Sequence, residues 1–115
     1  MLTLDKLREY GADTAEGLGR CMNNEAFYLR MVNLAIDDGV FARMETAVES
    51  GDVKGIFEAA HAMKGMFGNL SLTPLVNPAT EMTELARHGS EADYPALWAE
   101  ICTQRDRLVQ LRDEA

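Results

Sequence analysis

The residues of this chain that could do chemistry gather in one stretch, Glu58-Ala-Ala-His61-Ala-Met-Lys64-Gly65-Met66-Phe67-Gly68-Asn69. His61, Lys64, Gly65 and Gly68 are spaced so that a helix would carry them along one side. An imidazole at the edge of a core helix can be a structural histidine, a metal ligand, a general base or a nucleophile. Two glycines inside a helix each cost roughly 1 kcal/mol relative to alanine, so their presence needs another cause. Either they allow close packing, or they keep a surface bare.

Each role makes a demand on the rest of the sequence. Glu58 and His61 have the Glu-x-x-His spacing of helical di-metal sites, but such sites need a second pair, and Leu85 stands three residues before His88. No metal is expected. Cys21 and Cys102 are far apart and form no Cys-x-x-Cys or Cys/His cluster, which fits two reduced, packed thiols. General-base catalysis would need a cleft with converging polar groups, and no serine, cysteine or acid is placed to complete a triad. A nucleophilic histidine accepting a phosphoryl group accounts for more of the pattern. Its ring would be exposed for in-line attack, Lys64 would neutralise phosphate oxygens, and Gly65 and Gly68 would leave room for a partner's active site. The glycines then weaken the helix to clear a landing surface around His61.

The elements that must position these residues read as helices throughout. Thr3 to Tyr10 forms a short helix ended by Gly11, and Asp13-Thr14-Ala15-Glu16 has the spacing of a capping box opening a second, loosened by Gly17 and Gly19. Phe27, Met31, Leu34, Ala35, Phe41, Met44 and Val48 recur at three- and four-residue steps and predict one helix from Asn24 to Glu49, with Gly39 as its weak point. The motif helix runs from Asp52 to Leu70, with Val53, Ile56, Ala60, Met63, Phe67 and Leu70 as its apolar stripe and His61 and Gly68 on the flank. Thr73-Pro74 reads as a cap and first helical residue, but Pro78 predicts a start that is irregular or delayed to Asn77, with Ala79, Met82, Leu85 and Ala86 buried. A last helix spans Asp93 to Asp113, with Leu97, Trp98, Ile101, Leu108 and Leu111 at helical spacing. Four long helices joined by short turns predict an all-α, antiparallel four-helix bundle with short additional N-terminal helices, occupying residues 1–115 as one free-standing domain.

Composition sets the limits of function. A chain of 115 residues, 47% hydrophobic and 26% charged, is the right size for one core, and it has neither a membrane-spanning run nor a secretory leader, so the expected compartment is the cytoplasm. The net charge of −8, with 11 basic residues in no patch, argues against nucleic acid and anionic lipid as partners. It also places any phosphoryl group in a negative field unless a local cation meets it. Lys64 is that cation. With one apolar stripe per helix, a monomer is expected. No Gly-x-x-x-x-Gly-Lys loop is present, so the chain should have no ATP site of its own.

The stretch "AHAMKG", Ala60 to Gly65, resembles the His-x-x-Lys-Gly signature of histidine-containing phosphotransfer (HPt) domains, and "AHAMKGMFGNLSLTPL" extends the likeness through Leu75. The resemblance implies a four-helix bundle with His61 midway along the second long helix as the phosphorylated residue. It further implies Lys64 as the neighbouring cation and Gly65 as the helix position closest to the docked partner. That partner would be a response-regulator receiver domain, or a sensor histidine kinase system, bringing its own magnesium. Phosphate would pass from a receiver aspartate to His61 and on to another receiver, making the chain a phosphoryl carrier and not an enzyme. Glu58, Ala62 and Asn69 are candidates for the docking rim beside Gly65 and Gly68. Ser71, where family members often have glycine, and Met66, which replaces a commonly small residue, depart from the pattern and bear on partner fit. The alternative is a helical module that binds receiver or kinase domains on the same flank without passing phosphate.

Overall fold

The structure, a computed structural model, describes residues 1–114. Most of its helices begin where a short polar side chain can take a free backbone N–H. Thr3 accepts from Lys6 to start α1 (Leu4–Tyr10), and Asp13 accepts from Glu16 to start α2 (Thr14–Arg20). Asn24 accepts from Phe27 at the head of α3 (Glu25–Ile36), Asp52 from Gly55 at α5 (Val53–Asn69), and Asp93 from Ala96 at α7 (Tyr94–Asp113). Between them lie α4 (Val40–Ser50) and α6 (Thr73–Arg87), which have no side-chain cap of this kind. No strand occurs among the described residues.

The helix expected from Asn24 to Glu49 is in fact two, α3 and α4, broken at Asp37-Asp38-Gly39. The Asp38 carboxylate accepts from the Val40 N–H at 2.8 Å, so it competes for a backbone donor that a continuous helix would need. The break also turns α3. Tyr28, Val32, Ala35 and Ile36 are its buried residues, while Phe27 and Leu34, expected inside, are 39% and 56% exposed. Both faces of α3 are apolar, so the expectation of one stripe per helix fails there.

A second correction concerns α6. It runs from Thr73 through Pro78 without delay, Leu72 occupies the capping position, and Thr73 is already helical. Pro74 lies in the first turn, where a missing N–H matters little. Pro78 is buried against neighbouring helices, and that packing outweighs its lost hydrogen bond. The expected faces otherwise hold: Ala79, Met82 and Ala86 are buried with Leu75 and Thr83, and Leu85 is half-buried.

Helix α5 packs against α6 over most of its length and also against α4, while α7 contacts both α6 and α4. These four helices close a ring, and the short turns between successive members make neighbours antiparallel. Helices α1 and α3 rest on α7, with α2 contacting both of them. Ile56, Ala60, Met63, Phe67, Met44, Met82, Ile101 and Leu108 are almost wholly buried in the shared core. Each large side chain among them contributes about 2 kcal/mol through burial. The face of α5 carrying His61 is thereby fixed with respect to the bundle.

Candidate functional site

Because Ala60, Met63 and Phe67 hold one face of α5 in the core, His61 emerges on the flank and is exposed. Its ring stacks on Phe57, one turn earlier, with centroids 5.7 Å apart and planes 15° from parallel. The Arg87 guanidinium lies over the same Phe57 ring at 5.3 Å. Stacking holds the imidazole through its face and leaves its nitrogens free, and no hydrogen bond engages them among the described residues. Such a ring can present a lone pair to an incoming electrophile.

Lys64, half-buried one turn along, makes no ion pair among the described residues. A Cβ added at Gly65 or Gly68 would meet nothing within 4 Å, so neither glycine serves helix packing. Gly17 and Gly55 show the contrast. At Gly17 a Cβ would lie 2.6 Å from the Tyr28 ring, and at Gly55 it would lie 3.1 Å from the Ala47 Cβ. The first pair keeps a surface bare; the second pair allows close approach.

His61, Lys64, Gly65, Gly68 and Asn69 line one open depression of about 360 Å³, together with Arg20. Glu58 lies apart from them, in the groove between α4 and α5 with Arg43, Thr46 and Ala59. Ala62 is exposed but does not line the depression. Arg20 comes from α2 and had no signal in the local pattern, because its proximity depends on how the N-terminal helices fold over the end of α5. Its guanidinium donates to the Gly68 carbonyl oxygen and to Ser71 Oγ, and pairs with Glu16 at 3.0 Å.

The two departures from the motif acquire structural roles. Ser71 has φ 55°, a left-handed conformation that glycine adopts more easily, and its hydroxyl bonds both Arg20 and Glu16. Met66 is half-buried and lines a second depression with Met31, Leu34 and Leu70. Asn69 borders both depressions. An apolar strip on α3 therefore continues from the surface around His61.

Other reactive side chains lie away from this surface. Cys21 is buried and Cys102 half-buried, both as free thiols, and burial pushes the Cys102 thiol up from its usual range. His88 caps the end of α6 and is exposed. The Tyr28 hydroxyl is buried and donates to the Leu70 carbonyl oxygen at 2.8 Å, tying α3 to the turn after α5. The arrangement around His61 is thus an exposed imidazole on an open face that two cationic side chains also line. That geometry suits an anionic group delivered by another macromolecule.

Comparison with known proteins agrees. No curated protein and no solved structure matches the chain. The family model described as "Hpt domain" matches residues 38–114, which include α4 to α7 and the whole of the His61 motif. That match covers most of the sequence and the four helices of the bundle, and the chain accordingly belongs to the histidine-containing phosphotransfer domain family.

Proposed function

We propose that this protein is a phosphorelay intermediate in which His61 accepts a phosphoryl group from a receiver-domain aspartate and passes it to another receiver. The observation that carries this reading is the exposed imidazole beside Lys64, which has no ion pair among the described residues, on a surface kept free of side chains at Gly65 and Gly68. The unprotonated ring nitrogen attacks phosphorus in line, and the bond from phosphorus to the aspartate oxygen breaks with its electron pair returning to the carboxylate. Positioning and charge neutralisation are what the helical chain contributes. The reverse transfer uses the same geometry.

The chain acts as a carrier without its own ATP or metal site, and the magnesium that assists transfer belongs to the receiver. Docking uses the depression around His61 and extends over Asn69 onto Met66, Met31, Leu34 and Phe27, where exposed apolar area offers a contact for a partner helix. Glu58 and Ala62, exposed but outside the depression, would meet only the periphery of a docked partner. The relay operates as a monomer in the cytoplasm, a setting in keeping with two free thiols.

The test is to incubate the protein with receiver domains charged at their aspartate and to look for a base-stable, acid-labile phosphoryl group on His61 by mass spectrometry and phosphorus NMR. Uptake at His61, absent in His61→Gln, is the expected result. Charged receivers that bind without transferring would establish a docking module instead.

A further inference from the structure

Resting on the phosphorelay reading, we infer that Phe57 is a positioning residue for His61, the flat face that aims the imidazole's lone pair at a docked phosphoryl group. Phe57 and His61 are one turn apart on α5, a spacing that sets two side chains one above the other on a helix. Their ring centroids are 5.7 Å apart and their planes 15° from parallel, which makes an offset stack. Phe57 is itself held. It is half-buried against the core, and the guanidinium of Arg87 on α6, which pairs with Glu84 at 3.5 Å, lies 5.3 Å from its ring centre. The exposed histidine thus rests on a ring that two helices keep in place.

Direction is what this arrangement controls. The lone pair of an imidazole nitrogen lies in the ring plane, so in-line attack needs that plane to contain the line from nitrogen to phosphorus. A donor fixed to a docked partner comes from one direction only. On a helix an unrestrained histidine has roughly two χ1 wells and two χ2 orientations, and a stack that selects one of them raises the productive fraction by up to about fourfold. During transfer the nitrogen–phosphorus bond forms in the ring plane as the bond from phosphorus to the aspartate oxygen breaks, its electron pair returning to the carboxylate. A phosphoryl group in the ring plane leaves the stacked face undisturbed. Loading and unloading are therefore quickened alike.

Phe57→Leu keeps apolar bulk without the flat face, and Phe57→Tyr keeps the face; thermal melts confirm that both variants are folded. In proton NMR, with His61→Gln for assignment, the His61 ring signals of the parent and of Phe57→Tyr are expected upfield of those in Phe57→Leu, the mark of a neighbouring ring's current. Transfer is then timed from saturating receiver domains charged at their aspartate with acetyl phosphate and desalted. It is expected to be about fourfold slower in Phe57→Leu and parental in Phe57→Tyr, with receiver affinity by calorimetry unchanged. Potassium phosphoramidate is the control: it is small, approaches from any side, loses its nitrogen as ammonia, and should load all three proteins at one rate. Coincident ring signals, parental transfer by Phe57→Leu, or a loss of affinity that matches the loss of rate overturns the positioning role and leaves the relay standing. Equal slowing with phosphoramidate overturns it too, because the effect would then lie in nucleophilicity and not in aim. A parent that takes nothing from charged receivers, whatever it does with phosphoramidate, ends the relay reading and this inference with it.

Discussion

Function in this chain turns on what individual residues leave open. Gly65 is exposed within α5 and a Cβ there meets nothing, so Gly65→Ala should raise stability by about 1 kcal/mol in thermal melts. Gly65→Gln should keep part of that gain and slow transfer from a charged receiver by at least about tenfold, because its side chain fills the space the partner enters. Parallel loss of stability and transfer would instead mean that the glycine has a packing role. His61→Gln should abolish uptake and shift the melting temperature by no more than about 2 °C, as expected of an exposed side chain. Lys64→Ala separates charge from shape: transfer slows while receiver binding, measured by calorimetry, stays near that of the parent.

Among the elements, the N-terminal helices matter as fasteners for the end of α5. Gly17 admits the Tyr28 ring, and the Tyr28 hydroxyl reaches the Leu70 carbonyl oxygen. Gly17→Ala should therefore displace the ring, break that bond and destabilise the fold by about 2 kcal/mol in denaturant titrations. Tyr10 provides an opposite case. Its hydroxyl is buried with no partner among the described residues, so Tyr10→Phe should stabilise by about 1 kcal/mol.

These fasteners also mark where sequence reading succeeded and stopped. The helix starts at Thr3, Asp13, Asn24, Asp52 and Asp93 were legible because the signals that open a helix lie within a few residues of one another; in the structure each of these side chains accepts from an N–H three residues on. The faces of α5 and α6 were legible because one apolar stripe dominates each. α3 misled because it is apolar on two sides, and only the break at Asp37 to Gly39 decides which side turns inward. The proximity of His61, Lys64, Gly65 and Gly68 follows from one helix, whereas Arg20 meets Gly68 across 48 residues of chain. No local spacing encodes such a contact.

For the whole molecule, buried tyrosines set a limit on alkaline stability. Burial raises the Tyr28 hydroxyl from 10.0 to about 12 and pushes Tyr10 up as well, despite Arg107 nearby. The folded state holds these protons more tightly than the unfolded chain. Their stabilising contribution is therefore complete below about pH 10 and declines as pH rises through the folded values, with Tyr28 accounting for a loss on the order of 2 kcal/mol. Denaturant titrations at pH 9 and pH 11.5 should show this loss, and Tyr10→Phe should reduce it. An unchanged midpoint would show that the hydroxyls are hydrated in solution.

Trp98 makes the molecule its own optical gauge. It is the one tryptophan of the sequence, half-buried on α7 with its ring 6.4 Å from that of Phe41 on α4. Its emission therefore reads the closure of the bundle between α4 and α7, while His61 lies apart on the outer flank of α5. Fluorescence should stay constant as the histidine is loaded and unloaded, yet shift to the red when the helices part. Stability and phosphorylation can then be followed in one cuvette as separate signals, without a label attached to either surface.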